Sequence, residues 1–264
     1  MDDLLHLLGP KEQRGSKPRC HLLMHGTADE VAARLTSLAA PFASVSRNDH
    51  WMPKGFENLN EAELDKAPLL VEPKIGAQLR DWWLAVVNPK SKTPNFDIAS
   101  TCAVENKPGL LIIEAKAHEA ELSNEIVGKK FKAKPSDGSK ANHDRIGVAI
   151  QSASDGLQGS TSISWKLSRD SHYQLSNRFA WAWKLTELGL PVVLIYLGFL
   201  NANEMKDKGK PFADDLEWQE LVKKHSEPLF PASVWNHQWK CNGEMFVPLI
   251  KSTTVELPGK LSSI

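Results

Sequence analysis

Cysteine and long apolar runs are scarce in this chain, and each shortage excludes a class of protein. The 264 residues include only three cysteines, Cys20, Cys102 and Cys241, which are far apart and form no C-x-x-C pair. This spacing indicates neither a disulfide framework nor a zinc cage and favours a reducing compartment. The longest apolar run, residues 191–200, falls short of the roughly 20 residues that span a bilayer. The polar start lacks the pattern of a secretory signal, so we expect a cytoplasmic protein without membrane contact.

A net charge of either sign is also missing. Lys plus Arg and Asp plus Glu number 32 each, so the formal net charge is zero at pH 7. No overall field would draw such a chain onto a polyanion, and contact with nucleic acid would need a local basic patch. Apolar residues make up 41% and charged residues 24% of the chain. This mix is typical of a globular protein and excludes a disordered or fibrous one.

Helix signals recur along the chain. Thr27 with Glu30, and Ser171 with Gln174, have the spacing of a capping box ahead of an apolar helical repeat. Pro73 takes a favoured first helical position before another such repeat. With the apolar periodicity that follows them, these signals predict helices over 27–40, 73–88, 142–155, 172–188 and 214–225.

Two strand-like runs follow the second predicted helix. Residues 96–104 and 109–116 are apolar and rich in β-branched side chains, and the turn signal at 106–109 separates them, so they predict a hairpin. Residues 192–200 predict a buried strand, and residues 246–250 predict an edge strand. The order helix, hairpin, helix, helix, strand predicts an α/β protein with a mixed sheet covered on both faces.

The hairpin carries the charged residues that suggest chemistry. Glu114 and Lys116 are two apart on a strand, so both side chains leave the same face of the sheet. In so apolar a strand these charges must pair, meet a cation or reach solvent at the strand end. An antiparallel return brings Asp97, near the start of the first strand, opposite residues 114–118.

These three side chains have complementary chemistry. The carboxylates of Asp97 and Glu114 suit a hard cation such as Mg²⁺ or Mn²⁺, which also takes water and phosphate oxygens. Lys116 beside them could orient or deprotonate an attacking water and offset charge on a scissile phosphate. If this role is correct, Lys116→Ala should abolish cleavage at the scissile phosphate and leave the fold intact. The bland alternative is a surface Glu-Lys pair near an unrelated aspartate.

Asp97, followed by Glu114-Ala115-Lys116 at the end of an apolar strand, resembles the PD-(D/E)xK nuclease superfamily over about residues 70–200. The resemblance implies a restriction-endonuclease-like α/β core, with a central mixed sheet flanked by helices. It implies hydrolysis of phosphodiester bonds in nucleic acid, DNA before RNA, with Mg²⁺ or Mn²⁺ held by Asp97 and Glu114 and with Lys116 assisting the water. One departure is that Pro94 stands two residues farther from the aspartate than in the family motif.

Two further site candidates rest on the same resemblance. Family members often add a glutamate from the first core helix, and Glu72 is the candidate because its spacing to Ile75 and Leu79 puts it on the inward face. The alternative for Glu72 is a carboxylate stabilised by the helix dipole. Gln151 resembles a glutamine that exonuclease-like branches place by the site. Its alternative is a plain amide on the helix surface.

Basic residues outside the motif are candidates for contact with substrate phosphates. They are Lys129, Lys130 and Lys132 in a lysine-rich loop, and Arg178 on a later helix. A solvated loop and an arginine paired with an acid are the alternatives. His118 could contact substrate but is expected to be exposed at the strand end. The nine tryptophans have helical spacing beside Leu and Val, which predicts core packing rather than base stacking.

We expect a nuclease core over residues 67–204, with extensions over 1–66 and 205–264 packed on it. Within the first extension, residues 1–17 are predicted to be loosely held and residues 41–60 irregular. Two other functions stay open: a catalytically silent binding or regulatory protein on the same fold, and an α/β enzyme acting on a small phosphorylated substrate. The second would be favoured if the three motif residues lay more than about one side-chain length apart. Whether the chain forms a homodimer also stays open.

Overall fold

The computed structural model of the protein describes residues 4–131 and 134–258 and has an α/β architecture. Its α-helices within these residues are α1 (Ser16–Leu23), α2 (Ala28–Ala39), α3 (Pro73–Trp83), α4 (Glu119–Ser123), α5 (Asp137–Thr161), α6 (Tyr173–Glu187) and α7 (Asp215–Ser226). Its strands there are β1 (Ala43–Ser44), β2 (Trp51–Met52), β3 (Ala62–Glu63), β4 (Asn95–Phe96), β5 (Ile98–Val104), β6 (Lys107–Lys116), β7 (Val192–Phe199), β8 (Trp239–Cys241) and β9 (Glu244–Thr253).

One mixed sheet organises the molecule, in the order β1-β5-β6-β7-β9-β8, with β2 also paired to β5. Strands β5 and β6 form an antiparallel hairpin, whereas β6, β7 and β9 run parallel to one another. The predicted mixed sheet is therefore confirmed. The predicted edge strand at 246–250 is wrong in its place, because β9 lies between β7 and the antiparallel β8. Strands β1 and β2, in a stretch predicted to be irregular, contribute to the other edge.

Both faces of the sheet are covered by helices, as the pattern predicts. Leu110 and Ile112 of β6 belong to the core that α3, α5, α6 and α7 pack against. Leu111 and Ile113 belong to the core on the side of α1 and α2. A strand buried on both faces has no solvent-facing side for a charge, so charged residues on β6 must find partners inside the protein.

The helices largely follow their local signals. Thr27 caps α2, with the reciprocal contacts to Glu30 of a complete capping box. Asp214 caps α7 through the backbone N–H of Glu217. The helix over 73–88 ends earlier than predicted, at Trp83. Helix α5 is longer than the predicted 142–155, and the capping box predicted at the start of α6 does not form, since His172 is the N-cap residue and its side chain makes no cap bond.

The sequence predicts that residues 1–17 are loosely held, and residues 4–17, the described part of this segment, are mostly exposed or half-buried. Two short 3-10 turns, Leu5–Leu7 and Pro10–Glu12, lead into α1. Arg19 on α1 is buried and pairs with Glu204, with Nη2 2.9 Å from Oε2. The partners of this ion pair are far apart in sequence, so no local sequence pattern predicts that α1 is fixed in this way.

The tryptophans pack as predicted. Trp83, Trp181 and Trp183 are buried, and the rings of Trp83 and Trp181 meet edge to face with centroids 5.7 Å apart. All three cysteines are buried and unpaired. Within the described residues, no helix combines the length and the apolar character needed to cross a membrane.

Helix α5 approaches the tryptophan cluster through a glycine, which gives a stability prediction. A Cβ atom on Gly156 would lie 2.4 Å from ring atoms of Trp183, whereas a Cβ on Gly159 of the same helix would meet nothing within 4 Å. We expect Gly156→Ala to lower the free energy of unfolding by about 1–3 kcal/mol through overpacking. Gly159→Ala, the matched control, should raise it by about 0.5–1 kcal/mol. Urea unfolding measures both, and equal stabilities would contradict the packing described.

Candidate functional site

The β5–β6 hairpin brings Asp97, Glu114 and Lys116 together. The last pair of the antiparallel ladder joins Ile98 to Ile113. Beyond this pair, the Asp97 side chain replaces a backbone acceptor of the ladder. Its Oδ2 accepts a hydrogen bond from the backbone N–H of Ala115, 2.8 Å away. Asp97 is thereby fixed to the backbone between Glu114 and Lys116, and the separation that would have favoured a small-substrate enzyme is not observed.

Glu114 is buried, with 1% of its surface exposed, and both carboxylate oxygens have donors. Oε2 accepts from Nε of Arg178, 2.6 Å away. Oε1 accepts from the Lys116 ammonium and from the side-chain amide of Gln174. Gln174 and Arg178 are four residues apart on α6, so one face of that helix supplies both. The first turns of α6 therefore fix the Glu114 carboxylate at the end of β6.

Lys116 is also buried, and it contacts a second carboxylate that the sequence did not suggest. Its Nζ lies 2.7 Å from Oε1 of Glu125 in addition to its bond to Glu114. Burial acts to lower the pKa of Lys116, but Glu114, Glu125 and Asp97 outweigh it and raise that pKa above its ordinary value. Lys116 is thus a fixed cation at neutral pH, which favours a charge-offsetting role over deprotonation of water.

Glu125 lies in the 3-10 turn Asn124–Ile126, directly after α4. Its Oε2 accepts from the hydroxyl of Tyr196 at 3.3 Å and lies 3.1 Å from Nε2 of His225. Burial acts to raise the pKa of Glu125, but the charge of Lys116 and the hydrogen bond from His225 hold it below its usual range. No local sequence signal marks this glutamate, because its partners come from strand β7 and helix α7.

The cluster contains more carboxylates than side-chain cations. Among the described residues, the lysine and arginine side chains paired with Asp97, Glu114 and Glu125 are Lys116 and Arg178, and His225 is a further partner of Glu125. Burial and the charge of Glu114 raise the pKa of Asp97 to about 8, while Lys116, the Ala115 N–H and Arg178 act in the opposite direction. Asp97 also keeps part of its surface exposed. Asp97 therefore holds a proton more tightly than an ordinary aspartate does.

The donor set limits what kind of metal could be held. Within residues 4–131 and 134–258, no group of three or more His, Cys, Asp and Glu side chains is arranged to hold a metal ion. Mg²⁺ needs no such group, because it keeps several waters and binds through one or two carboxylates together with substrate phosphates. Asp97 and Glu114 are the residues that could supply those two carboxylates.

Glu72 and Gln151 do not join this cluster. Glu72 is the N-cap residue of α3, and its side chain is exposed rather than on the inward face that its spacing predicts. Gln151 is exposed on α5, where its amide donates to Asp155 at 2.8 Å. The glutamine that contacts Glu114 is Gln174. Its spacing from Ser171 predicts a capping role, whereas in the structure it shares a helix face with Arg178.

The lysine candidates fall in different environments. Lys129 is half-buried, and its Nζ donates to the hydroxyl of Tyr173 at 3.1 Å. Burial lowers the pKa of Lys129. Lys130 is exposed, and Lys132 lies outside the described residues. Lys129 is therefore the lysine of this loop that the fold holds near the first turn of α6.

Arg178 and His118 differ from expectation in their burial. Arg178 is buried, and its guanidinium is committed to Glu114 and Asn177 rather than facing solvent. His118, expected to be exposed, is also buried, and within the described residues its Nδ1 has no hydrogen-bond partner. The reason is the segment around Gly209, which packs against the His118 ring.

Comparison with known proteins assigns the chain to no family. No family model, no curated protein and no solved structure matches the chain. The elements that contribute to the cluster are the β5–β6 hairpin, the turn after α4, helix α6, strand β7 and helix α7.

The raised pKa of Asp97 predicts how stability changes with pH. Between about pH 4, where the unfolded carboxyl loses its proton, and about pH 8, where the folded one does, the folded state binds a proton that the unfolded state has released. The stability of the wild type should therefore fall as pH rises through this window. Asp97→Asn keeps an acceptor for the Ala115 N–H and removes this titration. In thermal unfolding without divalent cations, its advantage over the wild type should grow from pH 5 to pH 8, and a constant difference would contradict the assignment.

Proposed function

We propose that the protein is a divalent-metal-dependent nuclease that hydrolyses phosphodiester bonds of nucleic acid, with DNA as its main substrate. The observation that carries the proposal is the meeting of Asp97, Glu114 and the fixed cation Lys116 at the end of β6, where burial and the charge of Glu114 raise the pKa of Asp97 to about 8, so that a cation could replace its proton. A site of this composition binds a hard divalent cation and an anionic phosphate together.

Mg²⁺ or Mn²⁺ would be held by Asp97 and Glu114. A carboxylate has about four acceptor positions, and Asp97 uses one oxygen for the Ala115 N–H. The repulsion between Asp97 and Glu114 that helps to raise the pKa of Asp97 would be relieved by a bound cation. When bound, the metal activates a water and polarises the phosphoryl group.

The protein's own residues hold and orient the reacting groups. Arg178 and Gln174 fix the Glu114 carboxylate in one orientation through both of its oxygens. Lys116 keeps its proton and offsets the negative charge that develops on the scissile phosphate. Asp97, fixed to the backbone of β6, keeps the partial exposure through which a cation and its waters can arrive.

The arrangement of elements also supports the restriction-endonuclease-like core inferred from the family resemblance. Helix α3 precedes the β5–β6 hairpin, α5 and α6 follow it, and β7 then runs parallel to β6. The segments outside residues 67–204 add β1 and β2 at one edge and β8 and β9 at the other. These additions extend the sheet without interrupting the strands that carry the site.

One observation favours a second function, that of a catalytically silent binding protein. Glu114, Lys116 and Arg178 are almost fully buried and already satisfy one another. Such a network could serve only to specify the fold. In that case the protein would bind its partner through another surface and cleave nothing.

Cleavage assays separate the two functions. The wild type, incubated with linear, circular and single-stranded DNA and with RNA, should cleave in Mg²⁺ or Mn²⁺ and stop in a chelator. Asp97→Asn should lower the rate about 100-fold or more. Asp49→Asn is the matched control, because Asp49 is also partly exposed and accepts a hydrogen bond, from Thr101 at 2.7 Å, outside the cluster. Absence of metal-dependent cleavage on every substrate would favour the silent protein.

Lys116 variants test the proposed cation. The sequence-based expectation that Lys116→Ala leaves the fold intact needs revision, because loss of the ammonium leaves Glu114 and Glu125 buried with one partner fewer. Lys116→Gln should lose cleavage and should also lose about 3–5 kcal/mol of stability. Lys184→Gln, which removes a half-buried lysine paired with Glu187 at 2.9 Å, should keep cleavage.

Rates for the Lys116 variant must be normalised to the folded fraction, measured by circular dichroism under assay conditions. Metal-dependent cleavage by folded Lys116→Gln at the wild-type rate would reject the role assigned to this lysine.

A further inference from the structure

The Lys116 ammonium has two carboxylate partners, Glu114 and Glu125, and only Glu114 belongs to the predicted motif. Glu114 bonds the ammonium from the same strand, and Glu125 lies 2.7 Å from it on the other side. Oε1 of Glu125 has no hydrogen-bond donor aligned with it among the described residues. The contact between Lys116 and Glu125 is an ion pair in which Nζ and Oε1 are 2.7 Å apart.

Glu125 is itself fixed by two further elements. Tyr196 of β7 donates its hydroxyl to Oε2, 3.3 Å away, and Nε2 of His225 on α7 lies 3.1 Å from the same oxygen. All three side chains are buried. The ring of His172, at the start of α6, lies next to His225 with centroids 5.0 Å apart. The carboxylate of Glu125 therefore has little freedom to follow Lys116 if the ammonium moves.

Stability alone is a weak explanation for this arrangement. Burying a charged group carries a desolvation cost of several kcal/mol, and well-packed apolar residues often stabilise a core as well as a buried ion pair does. Without Glu125, the ammonium of Lys116 would have Glu114 as its main carboxylate partner, and Glu114 already accepts from Arg178 and Gln174. Lys116 would then lose its second carboxylate partner and could leave the position that it holds beside Glu114.

We propose that Glu125, held by Tyr196 and His225, is a positioning residue that keeps the Lys116 ammonium between two carboxylates, so that the lysine charge faces the scissile phosphate. The role in cleavage rests on the proposed nuclease function. The claim that Glu125 fixes the position of Lys116 does not rest on that function, and it can be tested even if the protein has no nuclease activity.

The kinetic test compares Glu125→Gln with Glu204→Gln. Glutamine keeps the size of the side chain and removes its charge. Glu204 is the matched control, because it forms a buried ion pair with Arg19 that has no contact with the cluster. Under Mg²⁺, kcat for DNA cleavage by Glu125→Gln should fall about 10- to 100-fold, as for other residues that orient a catalytic group, with KM little changed. Glu204→Gln should lose stability and keep its kcat.

A second readout follows Lys116 itself. The protein is treated briefly with an amine-acylating reagent, and labelling of each lysine is measured by peptide mass spectrometry, with Lys184 as the internal reference. Lys116 should be protected in the wild type and in Glu204→Gln, and labelled severalfold faster in Glu125→Gln. His225→Gln, which touches Glu125 but has no contact with Lys116, should shift labelling in the same direction by less. This variant keeps the test open if Glu125→Gln fails to fold.

The outcomes separate this proposal from the nuclease proposal. Wild-type protein without cleavage but with faster labelling of Lys116 in Glu125→Gln would reject the nuclease and support the positioning role. Equal protection of Lys116 in the wild type, Glu125→Gln and His225→Gln would overturn the positioning role, whatever the activity. Unchanged kcat in folded Glu125→Gln would overturn its part in cleavage.

Discussion

The end of strand β6 places charges where the fold leaves no water to solvate them, and the surrounding elements are arranged around that constraint. Glu114 and Lys116 lie on a strand whose two faces are both covered by helices. A buried charge without a partner costs several kcal/mol, so neighbouring elements must supply partners. Helix α6 provides Arg178 and Gln174, and the turn after α4 provides Glu125.

The partners in turn fix the elements that carry them. Glu125 connects the turn after α4 to β7 through Tyr196 and to α7 through His225. Gly198 of β7, paired with Lys116 across the parallel ladder, lets the ring of Trp218 pack closely, because a Cβ there would lie 2.6 Å from it. The charged cluster and the apolar core are therefore built by the same elements. We therefore expect that removing a charge from the cluster also alters how α6 and α7 pack.

The parts of the site that the sequence predicts are those set by local geometry. The hairpin that brings Asp97 beside Glu114 and Lys116 depends on two adjoining strands and a tight turn, so alternation and turn residues suffice. The turn itself forms at Glu105 and Asn106, ahead of the predicted 106–109, yet Asp97 still lies where the hairpin predicts.

The partners supplied by distant segments could not be predicted in the same way. Gln174 and Arg178 lie 60 and 64 residues from Glu114, and His225 lies 100 residues from Glu125. Helical spacing tells which residues share a face, but it does not tell which face meets the site. For that reason Gln151 and Glu72 had suitable patterns and still lie in solvent.

If Asp97 and Glu114 bind a divalent cation beside Lys116, the ion should be visible by anomalous diffraction. Crystals of the wild-type protein soaked in Mn²⁺, with diffraction recorded near the manganese absorption edge, test this binding most directly. We expect an anomalous peak within coordination distance of carboxylate oxygens of both Asp97 and Glu114, with the Lys116 ammonium still paired to Glu125. A map that contains manganese only elsewhere, or none at saturating Mn²⁺, would contradict it.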